Sequence, residues 1–277
     1  MKRHYSLVLG MILVPFLFAG VHAGEDVSQV LFENYEACKP VPLPSSLIPD
    51  LSVDRSYQIQ KQLVSKFVQD GGVIAGYKAG LTSQPAQQKF KAPGPVTGVL
   101  LKNMEITDRQ VKAKPFTKMM LEVEIGYRLN RDVETPTTPE DVKQLVDVVM
   151  PAVEVPDLNF ATFKGLAFTD IIADNVGARG FILGPPQPVD QVDPNAVTGQ
   201  LFMNGEALGK PVPGRAALGD QWKALSWSIN NVLEKGGEIK KGMVIITGSL
   251  GRMYPGKPGS YKAVYTGGLD NLAFTVQ

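Results

Sequence analysis

Two glutamates separated by one residue, Glu122 and Glu124, lie in Met120-Leu121-Glu122-Val123-Glu124-Ile125-Gly126-Tyr127, where apolar residues alternate with the acids, Gly126 and Arg128. A period of two is the signature of a half-buried strand. Successive strand side chains point to opposite faces, so both carboxylates fall on one face, roughly 6–7 Å apart along the strand. Like charges fixed side by side repel, and a hard divalent cation, which prefers carboxylate oxygens, is the simplest way to offset that cost. Glu154, in Pro151-Ala-Val-Glu-Val-Pro156, is a third acid in similar company. Solvent-facing glutamates on an exposed sheet are the alternative. Lys78 sits in the small, apolar stretch Val73-Ile-Ala-Gly-Tyr-Lys-Ala-Gly80. Buried there, it is expected to have a lowered pKa and to serve as an acid or base; snorkelling to water, it is a surface lysine.

What is missing narrows the chemistry as much. Both histidines, His4 and His22, fall in a segment with the marks of a secretory signal: Lys2-Arg3, the apolar run Tyr5 to Val21, and small residues at Val21-His22-Ala23. Removal of residues 1–23 leaves an exported chain, periplasmic or secreted, with no histidine; an uncleaved anchor is the alternative. Such a chain cannot build a Ser-His-Asp triad, a Cys-His pair or a His-ligated zinc site. Carboxylates, lysine, tyrosine, hydroxyls, backbone amides or a metal must carry its chemistry. The same cleavage removes two of 28 basic residues and no acid, leaving 26 against 27 and a net charge of about −1. That balance gives no electrostatic footprint for nucleic acid. The single Cys38 excludes an internal disulfide. At 44% hydrophobic and 20% charged, the chain is an ordinary globular protein with no internal repeat.

Around these residues the periodicity predicts helices and strands in alternation. Residues 25–37 form a short helix, and a connector with four prolines follows between Lys39 and Pro49. Ser52 caps a helix carrying Tyr57, Ile59, Leu63, Val64, Phe67 and Val68, which Gly71-Gly72 stops. Strands are expected at residues 73–80, 98–101 and 181–184. Thr138, Pro139 and the stripe Val142, Leu145, Val146 and Val149 predict a helix between the Glu122/Glu124 strand and the Glu154 strand. Asp170, Asp174 and Asn175 read as capping and turn residues. Asn204-Gly205 marks a hairpin. Trp222 to Leu233 reads as a helix, and strands follow at residues 244–247, 261–265 and 272–276. Gly248-Ser249-Leu250-Gly251 lacks the Lys-Ser/Thr of a phosphate loop, but its amides suit a small carboxylate.

In order along residues 50–277, several of these pieces resemble the hydratase/decarboxylase branch of the fumarylacetoacetate hydrolase superfamily. They are Tyr57-x-Ile59-Gln60, Gly76-Tyr-Lys-Ala-Gly-Leu-Thr-Ser83, Gly98-Val-Leu-Leu101, Glu122-Val-Glu124-Ile and Pro151-Ala-Val-Glu154-Val-Pro-Asp157. The series continues with Thr169-Asp-x-x-Ala-Asp-Asn175, Gly180-Phe-Ile-Leu-Gly184 and Thr247-Gly-Ser-Leu-Gly251. The resemblance implies an α+β fold with a mixed β-roll core over residues 71–277, a small N-terminal helical lobe over 24–70, and self-association. It implies Mg²⁺ or Mn²⁺ on Glu122, Glu124 and Glu154, chelated by the carboxylate and 2-oxo oxygen of a small 2-oxo acid. Lys78 would then move protons or steady charge, and Gly248, Ser249, Leu250 and Gly251 would face the substrate carboxylate.

Three departures from that pattern bear on activity. Relatives carry an Asp where this chain has Val96, which puts hydration in doubt. A small Ser-containing run is replaced by Val176-Gly-Ala-Arg179-Gly, so Arg179 is either a contact for a second carboxylate or a surface arginine. Relatives are also cytoplasmic, whereas this chain reads as exported. The expected functions are a hydratase of 2-oxopent-4-enoate type, a decarboxylase of 4-oxalocrotonate type, or an exported protein that binds metal and 2-oxo acid without turnover.

Overall fold

The computed structural model describes residues 26–277; the segment read as a signal peptide lies outside the described residues. In chain order the elements are α1 (Val27–Glu36), α2 (Pro44–Leu47), α3 (Val53–Gln69), β1 (Ile74–Gly80), α4 (Gln84–Phe90), β2 (Val96–Leu101) and β3 (Gln110–Val111). They continue with β4 (Met120–Leu129), β5 (Val146–Val155), α5 (Phe168–Ala173), β6 (Gly180–Leu183), β7 (Gln187–Pro188), β8 (Thr198–Met203) and β9 (Glu206–Pro213). The last are α6 (Gln221–Glu234), β10 (Val244–Ile246), β11 (Tyr254–Pro255), β12 (Gly259–Tyr265) and β13 (Leu272–Val276). Local chemistry accounts for several boundaries. The Ser52 hydroxyl caps α3 by accepting from the Arg55 amide, and Asp220 caps α6 through the Lys223 amide. Asn204 and Gly205 both take positive φ, 52° and 88°, as a two-residue hairpin turn between β8 and β9 requires.

Two sheets form the core. The larger runs β2-β1-β10-β4-β5-β6, with β11 on β4 and β7 on β5; the smaller runs β3-β13-β12-β8-β9. Most pairings are antiparallel, but β1 pairs in parallel with β10, so β10 lies between β1 and β4. One apolar cluster holds Leu121, Ile125, Tyr127, Val149, Val153, Leu225, Ile229, Tyr261 and Phe274 from both sheets and α6. A second joins Leu31, Ile59, Leu63 and Phe67 of the N-terminal helices to Leu100, Ala152, Phe181 and Ile246 of the larger sheet. Among the described residues, no helix is long and apolar enough to cross a membrane.

One element differs from the sequence reading. Residues 138–149 do not form a helix: a 3₁₀ turn spans Val142–Leu145, and β5 begins at Val146 and pairs directly with β4. Thr138 keeps a local role, its hydroxyl accepting from the Asp141 amide (3.1 Å). From Val149 to Val155 β5 is buried on both faces, so its apolar residues run on without alternation. Such a run also satisfies a helical stripe, and β-branched valines settle the outcome in favour of a strand. The proline-rich connector departs less, holding the single turn α2.

Buried Gln221, at the start of α6, ties that helix to the larger sheet. Its Oε1 accepts from the hydroxyls of Tyr127 (2.8 Å) and Thr247 (2.7 Å), and its Nε2 donates to the Gly214 carbonyl (2.6 Å). Replacing Gln221 with Leu removes all three bonds and strands the Tyr127 hydroxyl in the interior. The expected loss is about 3 kcal/mol of unfolding free energy, read by equilibrium urea denaturation; a loss below about 1 kcal/mol would show that the tie is dispensable.

Candidate metal centre

The register of β4 against β5 sets Glu122 directly opposite Glu154 and Glu124 opposite Ala152. Side chains two apart on β4 share a face with the cross-strand partner, so three carboxylates converge on one patch. One oxygen from each of Glu122, Glu124 and Glu154 lies within 4.8 Å of the others. Glu124 and Glu154 are 1% and 0% exposed, and Glu122 is half-buried. The reading of solvent-facing glutamates is therefore excluded. Ala152 is fully buried, and the Tyr265 hydroxyl donates to the Glu124 (2.9 Å) and Ala152 (2.7 Å) carbonyls.

Lys78, from β1, reaches this patch and is 3% exposed. Its ammonium forms an ion pair with Glu154 Oε1 and donates to the Val176 carbonyl (3.0 Å). The expectation that burial lowers the lysine's pKa is corrected here. Desolvation does pull it down, but Glu154, Glu122 and Glu124 together outweigh that pull and hold it above the ordinary lysine value. The carboxyls move the same way. Burial, reinforced by Glu154, lifts Glu122 to about 7, against the opposing influence of Lys78 and the Ser249 hydroxyl. Burial and then Glu154 and Glu122 lift Glu124 well above the carboxylate range. Burial also lifts Glu154, although Lys78 counters it.

These residues fit a divalent cation. Ionised, three carboxylates and one ammonium carry a net charge of −2, which one such ion balances. Among the described residues, Glu124 Oε1 and Glu154 Oε2 are buried without a hydrogen-bond partner. Hard oxygen donors of this kind suit Mg²⁺, Mn²⁺ or Ca²⁺.

The structure places the other sequence-derived candidates differently. In the Gly248–Gly251 turn the Gly248 amide donates to Glu124 Oε2 (2.9 Å), the Leu250 amide to the Val123 carbonyl (2.8 Å) and the Gly251 amide to the Ser249 hydroxyl (3.3 Å). Three of the four amides thus brace the metal strand or their own turn, rather than standing free for a substrate carboxylate, and the Leu250 side chain is in the core. Arg179 is engaged with the N-terminal helix. Its guanidinium lies 3.5 Å from the centre of the Tyr35 ring and donates to the Tyr35 carbonyl (3.1 Å) and Cys38 Sγ (3.4 Å). Val96, where an acid was expected by resemblance, is buried in an apolar cluster with Tyr57, Ile172 and Val176. The sequence reading missed the Val176 carbonyl as a partner of Lys78 and treated Asn175 as a turn residue. Backbone carbonyls leave no mark in a sequence; the Asn at 175 was the one available signal.

Raised carboxyl pKa values have a definite sign. A carboxyl whose folded pKa exceeds its unfolded value stabilises the fold below that unfolded value, near 4.5, and the contribution is lost as pH rises through about 7. The metal-free protein is therefore expected to melt at lower temperature at pH 8 than at pH 5.5. Saturating Mg²⁺ should raise the melting temperature more at pH 8, by an amount equivalent to about 2.7 kcal/mol at a hundredfold excess over Kd. Calorimetric scans with Mg²⁺ and with EDTA at both pH values check this; an Mg²⁺ effect absent at pH 8 would refute it.

Comparison with known proteins follows the same direction. The chain is 30% identical over 251 residues to a 2-keto-4-pentenoate hydratase of Paraburkholderia xenovorans, a match covering 90% of this chain and 93% of the relative. It is 29% identical over 241 residues to a 2-hydroxyhexa-2,4-dienoate hydratase of Comamonas testosteroni, covering 85% and 90%. Among solved structures, 4-oxalocrotonate decarboxylase from Pseudomonas putida G7, complexed with magnesium and adipate, superposes with a TM-score of 0.85 at 24% identity, over 91% of this chain and 96% of that one. Fumarylpyruvate hydrolase from Pseudomonas aeruginosa, in complex with Mn²⁺ and pyruvate, gives 0.55 at 14% identity over 72% and 88%. No family model matches the chain.

Proposed function

Because this chain belongs to the 2-keto-4-pentenoate hydratase family, we propose that it is a divalent-metal-dependent lyase that adds water to a small 2-oxo acid of the 2-keto-4-pentenoate type. The observation that carries the reading is the buried convergence of Glu122, Glu124 and Glu154 with one lysine. Those glutamates would hold the cation, Mg²⁺ or Mn²⁺. Once bound, it supplies electrostatic stabilisation of the negative charge that develops on a 2-oxo oxygen when a neighbouring C–H bond is broken.

The chain's own residues supply the rest. Lys78 Nζ is the group that carries a proton to or from the carbon skeleton, and Glu154 and the Val176 carbonyl fix its position. For a 2-keto-4-pentenoate, loss of a C3 proton and gain of one at C5 moves the double bond into conjugation with the 2-oxo group. Water then forms its bond at C4 while C3 takes a proton, so one water is consumed and no redox change occurs. The apolar cluster of Tyr57, Val96, Ile172 and Val176 limits the water near the ammonium.

Decarboxylation of a 2-oxo diacid is the second reading, and Val96 favours it. The apolar side chain leaves no second acid at that position, and decarboxylation needs only release of CO₂ and protonation of one carbon. Export after removal of residues 1–23 and self-association complete the proposal, the first supported by the pattern of Lys2-Arg3, Tyr5 to Val21 and Ala23. The second is supported by the family resemblance.

A screen of 2-hydroxydienoates and 2-oxo diacids with Mg²⁺ separates the outcomes. Absorbance loss without CO₂ release is hydration, CO₂ release is decarboxylation, and binding of oxalate without turnover is a non-catalytic protein. Glu122→Gln and Glu154→Gln are each expected to abolish turnover and Mg²⁺ uptake, and normal turnover by either would overturn the site. Lys78→Met is expected to lower kcat about 10²–10⁴-fold. Calorimetry should find its Mg²⁺ affinity undiminished, because the variant removes a competing cation from the patch.

A further inference from the structure

Lys78 could adopt many rotamers, yet one backbone carbonyl and one carboxylate hold it. The carbonyl belongs to Val176, a β-branched residue in the left-handed region, with φ 56° and ψ 31°. Asn175 before it is also left-handed, with φ 52°. A β-branched residue there is a genuine outlier and persists only where its surroundings impose it. Its hydrogen-bonded neighbour imposes it. The Asn175 side chain copies a strand neighbour, its Oδ1 accepting from the Val99 amide (2.7 Å) and its Nδ2 donating to the Val99 carbonyl (2.9 Å). The pair is 2% and 7% exposed, so water does not compete for these bonds.

The sheet is shaped to receive this turn. A Cβ on Gly98 would stand 2.8 Å from the Asn175 carbonyl oxygen and 3.2 Å from Lys78 Cγ; one on Gly80 would stand 2.5 Å from Val176 Cγ1. Glycine at both positions lets the turn lie flat on β1 and β2, over the lysine. We propose that Asn175 is a positioning residue: by clamping β2 it forces Val176 into its strained conformation, and the Val176 carbonyl then aims the Lys78 ammonium at the glutamate patch. Asn175 touches no reacting atom; it acts through Val99, Val176 and Lys78. The inference rests on the reading of Lys78 as the proton carrier.

The test uses Asn175→Gly, which keeps left-handed freedom but removes the clamp, and Asn175→Asp, which keeps the acceptor for the Val99 amide but loses the donor. In a crystal structure of metal-free Asn175→Gly, the distance from Lys78 Nζ to the Val176 carbonyl should exceed about 3.5 Å. Its kcat should fall roughly tenfold to a hundredfold, with KM and Mg²⁺ affinity within about twofold of the parent. Asn175→Asp should fall between, and it carries the distance test if the glycine variant does not fold. Retention of the Nζ–carbonyl bond, kcat within about twofold of the parent, or equal collapse of kcat, KM and metal affinity in a folded variant would each overturn the proposal. If the parent turns over no 2-oxo acid, the functional reading fails, and the crystallographic distance alone decides the positioning role.

Discussion

Two negative charges 4.8 Å apart, the limit within which one oxygen from each of the three glutamates lies, repel by about 3.5 kcal/mol at an effective dielectric constant near 20. Three such pairs approach the entire stability of an ordinary domain, about 5–15 kcal/mol. The patch therefore cannot hold three anions without a counter-charge. Lys78 supplies one positive charge from inside the fold, and protons or a cation must supply the rest. Burial first, and then that imbalance, lifts the Glu122 and Glu124 carboxyls, and two buried carboxylate oxygens, Glu124 Oε1 and Glu154 Oε2, stand without a hydrogen-bond partner.

Much of the surrounding architecture resists this repulsion. Tyr265, reaching from the smaller sheet, bridges the backbones of β4 and β5 behind the glutamates, so the two strands cannot splay. Thr247 and Gln221 hold the end of β10, and the next residue, Gly248, gives its amide to Glu124. The second sheet and α6 are thus the rigid backing of an electrostatically unfavourable surface. A scaffold that holds its charges in advance spares a reaction the work of reorganising them.

What the sequence made legible follows the range of the forces involved. The alternation around Glu122 and Glu124, the Ser52 cap and the Asn204-Gly205 turn are set by neighbours a few residues away; the cap and the turn are found as read, and the alternation marks a strand, though one buried on both faces rather than half-buried. β5 was misread because burial on both faces erases alternation, leaving valines that suit a stripe as well as a strand. The site was half visible. Spacing placed two glutamates on one face, but only the register with β5 sets Glu154 opposite Glu122. The direction of the Lys78 shift depends on three charges brought from other strands, and Arg179 is claimed by Tyr35, which lies 144 positions away in the chain. None of these is a local property.

The placement of β10 also sets the chain distance that the site must close. This three-residue strand pairs Lys78 with Ile246 on one edge and Gly126 with Ile246 on the other. Chain segments about 170 positions apart must meet before the lysine and the glutamates share a surface, whereas β4 and β5 meet across a short connection. Closure entropy grows with the length of chain enclosed, so the parallel contact carries the larger closure cost. The ion pair between Lys78 and Glu154 therefore depends on a short strand drawn from far along the chain, whereas the glutamates face one another through a nearer pairing.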